Sequence, residues 1–195
     1  GGSPHRDRGG HGRARRTRAY TAAMTEVQPY DVERRYDDFE VRRYPEHHLV
    51  AVDVDGDFST AGNRGFRPLI SYISGSNAEG RQIAMTAPVI QSPTPSGTHT
   101  VSFVLPASLD AASVPSPTNP AVRSRAVPPG LVAARTFSGG VSDSRFEENG
   151  ARLLAAVARE GLAHDGEVYF ARYDPPWKPG FLKRNEALVR LTSSL

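Results

Sequence analysis

An α+β fold with about eight antiparallel strands and two helices, built as two copies of one β-β-α-β-β unit, is predicted for this chain by three observations. Apolar residues recur at helical spacing twice, at Phe66, Leu69, Ile70 and Ile73 and again around Phe146, Leu153, Leu154 and Val157. Each helical stretch is preceded by two strand-like runs rich in Val, Phe and Tyr and followed by two more. Pro- and Gly-rich segments punctuate these runs, and the longest of them, residues 106–120, separates the two halves at about 36–105 and 121–192. Neither unit is large enough to bury its sheet face alone, so the two are expected to share a core as a pseudo-twofold pair.

Residues 1–23 stand apart from this plan. They hold six arginines against Asp7, a net +5, whereas residues 24–195 carry −2, so the basic character of the chain is mostly that of its first segment. With much Gly and Arg and few apolar side chains, this segment is expected to be a disordered basic tail preceding one folded domain over 24–195. At 195 residues, 38% hydrophobic and 23% charged, the chain as a whole has an ordinary globular composition. No run of apolar residues is long enough to span a membrane, and no signal-like apolar segment lies near the start, so a cytoplasmic protein is expected. The absence of cysteine excludes disulfides and thiolate ligands for zinc or haem.

In chain order, Phe39 to Tyr44 and Leu49 to Val54 are strands joined by Pro45-Glu-His-His48, with Val50, Val52 and Val54 on one face. Asp53, Asp55 and Asp57 around Gly56 have the spacing that opens a calcium loop but lack its closing bidentate Glu, so they are read as a solvated strand end. The first helix follows, with Ser59 or Thr60 expected as its cap and Gly75 as its stop. A strand over Ile83, Met85, Ala87 and Val89 comes next, ended or bent by Pro88. Thr98 to Leu105 completes the first unit. The second unit runs through Val122 to Val127, Leu131 to Phe137, a helix weakened by Asn149 and Gly150 and stopped near Gly161, then Glu167 to Tyr173 and Glu186 to Thr192. Glu147 and Glu148 are expected near the start of the second helix, where its dipole favours them.

Four stretches carry a resemblance: Tyr36-Asp-Asp-Phe-Glu-Val-Arg-Arg-Tyr44, Gly65-Phe-Arg-Pro-Leu-Ile-Ser-Tyr-Ile73, Ile83-Ala-Met-Thr-Ala-Pro-Val89, and Tyr173-Asp-Pro-Pro-Trp-Lys-Pro179 with Arg184-Asn-Glu186. In this order and at this separation the chain, over roughly residues 30–192, resembles the SOUL haem-binding protein family. The resemblance implies a distorted antiparallel eight-stranded barrel flanked by two helices, and kinship with the ligand-binding domains of some multidrug-responsive bacterial regulators. It also implies a non-enzymatic carrier or buffer of haem or another tetrapyrrole. At the position of the family's proposed axial His this chain has Arg43, which stays protonated and cannot ligate iron.

The expected cofactor is therefore non-covalent haem in an apolar groove. Its lining is expected from Phe66, Leu69, Ile70 and Ile73, with Met85, Tyr173 and Trp177, while Arg64, Arg67 and Lys178 meet the propionates. His47 and His48 are the candidate iron ligands, and His99 and His164 are isolated. Two alternatives stand beside this reading: a domain for another amphipathic small molecule without iron ligation, and a protein-interaction module using the basic tail or the Pro-rich connection. Nucleic acid is not the expected partner. No enzyme motif is present: neither a Gly-x-Ser-x-Gly elbow, nor a phosphate-binding Gly loop, nor His-Glu-x-x-His. Glu186 is the one acid singled out, and if buried it is expected to pair with an arginine rather than to catalyse.

Overall fold

The computed structural model describes residues 26–175 and 177–192, so the basic tail expected over residues 1–23 lies outside the described residues. The described residues form eleven strands and two α-helices. In chain order they are β1 (Glu26–Val27), β2 (Asp31–Arg35), β3 (Glu40–Tyr44), β4 (His47–Val54), α1 (Phe58–Ile73), β5 (Thr86–Ala87), β6 (Val89–Pro93) and β7 (His99–Val104). The second half adds β8 (Val122–Val127), β9 (Gly130–Phe137), α2 (Asp143–Arg159), β10 (His164–Arg172) and β11 (Asn185–Leu191), with a 3-10 turn at Gly180–Leu182.

Nine strands form one antiparallel sheet in the order β2-β3-β9-β11-β10-β6-β7-β4-β8, and β1 pairs with β5 in a small parallel ribbon. If each strand of one half is exchanged for its counterpart in the other (β3 for β8, β4 for β9, β6 for β10, β7 for β11), the order from β3 to β8 reads the same backwards. The two units are also interlocked, because β3 of the first pairs with β9 of the second and β8 of the second pairs with β4 of the first. The expectation of eight strands is corrected in one respect: the main sheet has a ninth strand, β2, so that its hydrogen-bonded order runs from β2 to β8. Both end strands are rich in charge: Asp31, Glu33, Arg34 and Arg35 on one, and Arg123 and Arg125 on the other. Charged edges disfavour pairing with another sheet.

The period-2 pattern divides this sheet cleanly. On one face Val50 and Val52 of β4 and Val101 and Phe103 of β7 pack with Leu69, Tyr72 and Ile73 of α1. On the same face Val41, Ala133, Ala187 and Val189 pack with Leu153, Ala156 and Val157 of α2. Both helices thus cover one side. The opposite side carries a third, smaller cluster of Tyr44, Val132, Ala134, Ala171 and Leu188.

Several local expectations change. The cap of α1 is Asp57, which accepts from the Thr60 backbone N–H, and not Ser59 or Thr60; Ser59 instead donates to Asp143 at the start of α2. Gly75 ends α1 at φ +120°, in the region that glycine tolerates, as expected. The strand expected from Ile83 to Val89 is only Thr86–Ala87 plus the start of β6, and Pro88, which has no N–H for the ladder, separates the two. Asp143, rather than Glu147 or Glu148, is the acid in the first turn of α2, and Glu148 pairs with Arg152 four residues on. Asn149 and Gly150, read as weak points, are both buried where α2 meets the sheet.

Candidate ligand-binding site

The helix-free face of the sheet holds a cavity of about 400 Å³, within the usual range for small-molecule sites. Its apolar lining comes from alternate residues of five strands: Leu49 of β4, Ile90 of β6, Val132 of β9, Ala171 of β10 and Leu188 of β11. Tyr44, Tyr169 and Tyr173 add aromatic surface, while His47, Arg125 and Arg190 supply the basic groups.

Beneath these tyrosines lies a buried polar network. Glu186 is wholly enclosed and receives two hydrogen bonds from Arg42, at 2.8 and 2.5 Å. It also accepts from Tyr173 Oη at 2.8 Å and from Arg184 at 3.0 Å. Arg42 reaches Tyr44 Oη at 3.0 Å and Glu40 at 2.7 Å, and lies 4.1 Å above the Tyr30 ring. Arg184 lies over Tyr173 at 4.0 Å and donates to Tyr30 Oη. Burial alone would push the Glu186 carboxyl up, but the hydrogen bonds and charge of Arg42, with Arg184 and Tyr173, outweigh it and hold the carboxyl below the ordinary range. Burial raises the Tyr44 phenol to about 12, against the opposing charge of Arg42, and burial with the Glu186 charge raises Tyr173 further. The tyrosines of the cavity are therefore neutral donors at physiological pH. The expectation that Glu186, if buried, pairs with an arginine is met by Arg42.

His47 has a defined tautomer. Its Nδ1 is 2.9 Å from the Pro45 carbonyl oxygen, which can only accept, so Nδ1 carries the proton and Nε2 keeps a lone pair. Burial lowers the pKa of the imidazole; the Pro45 carbonyl opposes this, and the nearby charges of His48, Arg125 and Arg190 add to it. His47 is thus neutral near pH 7. Arg190 donates only to the carbonyls of Pro128 and Pro129, and neither it nor Arg125 has an acidic partner among the described residues.

The structure separates the residues expected to share one groove. Tyr173 lines the cavity. Leu69 and Ile73 are buried under α1 on the opposite face, with Ile70 and Met85 packed against the same core. Phe66 is half-exposed against the edge of Phe103. Trp177 is 83% exposed. Arg64 donates to the Asp55 carbonyl, Arg67 joins it on an open surface of α1, and Lys178 pairs with Asp174. His47 lines the main cavity, whereas His48 lines only a neighbouring cavity of about 370 Å³ with Leu105 and Leu109, which His47 also borders. Arg43 projects to the helix-covered face and pairs with Glu33. The cavity residues that sequence reasoning did not name include Tyr44, Tyr169, Leu188, Arg125 and Arg190, with Leu49, Ile90, Val132 and Ala171. Their one sequence signal is alternation within each strand, and alternation does not reveal which strands become neighbours.

The molecule is an α+β protein whose sheet has helices on one face and a cavity of small-molecule size on the other. The chain belongs to the SOUL heme-binding protein family, whose model matches residues 25–190. Heme-binding protein 2 of Homo sapiens is 31% identical over 155 residues, covering 75% of this chain and 74% of its own. Heme-binding protein 1 of Xenopus laevis is 27% identical over 155 residues, covering 76% and 80%. The crystal structure of the EcmrR C-terminal domain superposes with a TM-score of 0.63 over 85% of this chain and 99% of that one, at 10% identity, a likeness of fold. Among the described residues no helix is long and apolar enough to cross a membrane.

Proposed function

We propose that the protein binds haem, or a closely related tetrapyrrole, without transforming it, in the cavity on the helix-free face, and serves as a carrier or buffer. The observation that carries this reading is the composition of that cavity. An apolar, tyrosine-lined concavity of about 400 Å³ has one neutral imidazole with an available Nε2 and two guanidiniums without acidic partners. Each part matches a part of the cofactor: apolar walls for the macrocycle, His47 Nε2 for iron, and Arg125 and Arg190 for the propionates. The names of the relatives support the same ligand class. Glu186 supports binding over catalysis, because its carboxylate is engaged by Arg42, Arg184 and Tyr173.

The test is a titration with haemin and, in parallel, with metal-free protoporphyrin. Saturable one-to-one haemin binding with a shifted Soret band is expected. His47→Ala is expected to weaken haemin by at least about tenfold, equivalent to about 1.4 kcal/mol, and to leave the metal-free ring nearly unaffected. His48→Ala is expected to change neither. Equal affinity for both rings, indifferent to His47, would replace this reading with that of an amphipathic-ligand domain without iron ligation. No saturation with either ring would end the tetrapyrrole reading altogether.

A further inference from the structure

Among the described residues six large apolar side chains stand out from the surface, and four of them, Val141, Trp177, Phe181 and Leu182, lie on two loops that are fastened together. The Gly139 N–H donates to the Gly180 carbonyl at 2.9 Å, and Asn185 donates to the Gly139 carbonyl at 2.9 Å. A Cβ at Gly180 would stand 2.9 Å from the Gly140 nitrogen, so the two loops meet at backbone distance. Within its own loop Asp174 accepts from the Arg184 N–H at 2.5 Å and from Lys178 Nζ at 2.6 Å, and backbone bonds from Leu182 to Pro179 and from Lys183 to Gly180 close the turn. The apolar side chains are therefore held outward by a braced turn.

Charge around this projection is positive by a narrow margin. From Asp174 to Glu186 the chain has three cations, Lys178, Lys183 and Arg184, and two carboxylates, Asp174, which is 15% exposed and pairs with Lys178, and the buried Glu186, which pairs with Arg184. The loop from Phe137 to Ser142 has no acidic residue. A stable protein–protein contact takes roughly 800 Å² and some 20 residues from each partner. Four protruding side chains are far short of that, but a bilayer interface takes few: Trp, Phe and Leu enter the headgroup boundary while flanking Lys and Arg meet anionic headgroups.

We propose that the braced loops carrying Val141, Trp177, Phe181 and Leu182 dock this protein on the surface of an anionic lipid bilayer. The docking loop begins one residue after Tyr173, which lines the ligand cavity, so a docked molecule holds that part of the cavity wall near the lipid. The proposal does not depend on the identity of the ligand.

Trp177 is the only tryptophan, which makes the test local. The full chain is mixed with vesicles of phosphatidylcholine alone or of phosphatidylcholine with phosphatidylserine, and co-sedimentation and Trp177 emission are both read. With phosphatidylserine present, sedimentation and a blue shift of Trp177 are expected, both weakening as salt rises. In Phe181→Ser/Leu182→Ser, whose altered side chains are exposed, the melting curve and haemin titration are expected to match the parent, while vesicle binding falls at least about tenfold. Sedimentation without a Trp177 shift, or with no loss in the double variant, would assign lipid binding to the arginine-rich residues 1–23 and overturn the proposal. A Trp177 shift that follows protein concentration without vesicles would make the patch a contact between copies and overturn it equally.

Discussion

Removing either partner of the Arg42–Glu186 pair is expected to destabilise the fold by about 3–5 kcal/mol, a large part of the total for a domain of this size. Both side chains are all but inaccessible to water, so Glu186→Ala leaves the Arg42 guanidinium buried against Tyr30 with only Glu40 to meet its charge. Arg42→Ala leaves the Glu186 carboxylate with Arg184, Tyr173 and Thr136. Urea unfolding of both single variants and of Arg42→Met/Glu186→Leu forms the decisive cycle. The double variant is expected to be closer to the parent than either single one, because no lone charge remains inside. If the single losses simply add, the two groups are not coupled as described.

The same pair sets a pH dependence. The Glu186 carboxyl titrates below its unfolded value of 4.5 in the folded protein, so the unfolded chain takes up its proton first as the solution is acidified. The stabilisation is therefore complete above pH 4.5 and is lost as the pH falls from there through the lower folded value. Glu186→Gln has no such titration, and its unfolding midpoint is expected to vary less over that acid range than the parent's. The tyrosines add no competing effect near neutrality, since their pKa values are raised and lie far from that range.

Gly65→Ala is expected to cost about 1–3 kcal/mol although it improves the intrinsic helix propensity of α1. A Cβ at position 65 would lie 2.6 Å from Val101 Cβ, in the fully buried middle of β7, and neither the strand nor the branched side chain has room to retreat. Gly150→Ala in α2 is the matched control. There the new methyl would meet the Phe170 ring edge at 3.2 Å and Val168 at 3.3 Å, a gap that small ring movements can open, and the propensity gain of about 1 kcal/mol offsets the crowding. Thermal unfolding should separate the two variants clearly. Val101→Ala introduced with Gly65→Ala is expected to recover part of the loss; no recovery would place the strain elsewhere.

These two glycines also show what can be read from sequence and what cannot. The stripe through Leu69 and Ile73 marks the helix and its buried side, and Gly150 reads as a flaw in the second helix, yet each glycine sits against side chains of the sheet. Helical periodicity reports that a side is covered and is silent on whether protein or ligand covers it. For that reason the stripe of α1 reads equally well as the wall of a groove, whereas Leu69 and Ile73 meet Val50, Val101 and Phe103. The ligand cavity was mostly hidden for a different reason. Tyr44, Tyr169 and Leu188 come together only through the pairings of β3 with β9, β9 with β11 and β11 with β10, and register across such distances has no local signature. Glu186 was noticeable because it stood in Arg184-Asn-Glu186 beside the aromatic loop. Its partner carries a signal of its own: with Val41 facing the helices, alternation turns Arg42 to the other side of the sheet and separates it from the exposed Arg43.

The interlocking of the two units bears on how the chain reaches this state. Val41 finds its neighbour only when Ala133 is available, and Val50 meets Ser124 only after the whole first unit and the Pro-rich connection have been made. Only β2 with β3, β6 with β7 and β10 with β11 join strands adjacent in the chain; the other five pairings of the main sheet span longer separations, and topologies of that kind fold slowly because long loops must close before pairing rewards them. On the ribosome, β3 and β4 emerge with their outer edges open until the second half follows, so the vulnerable interval lies in synthesis rather than in the finished molecule.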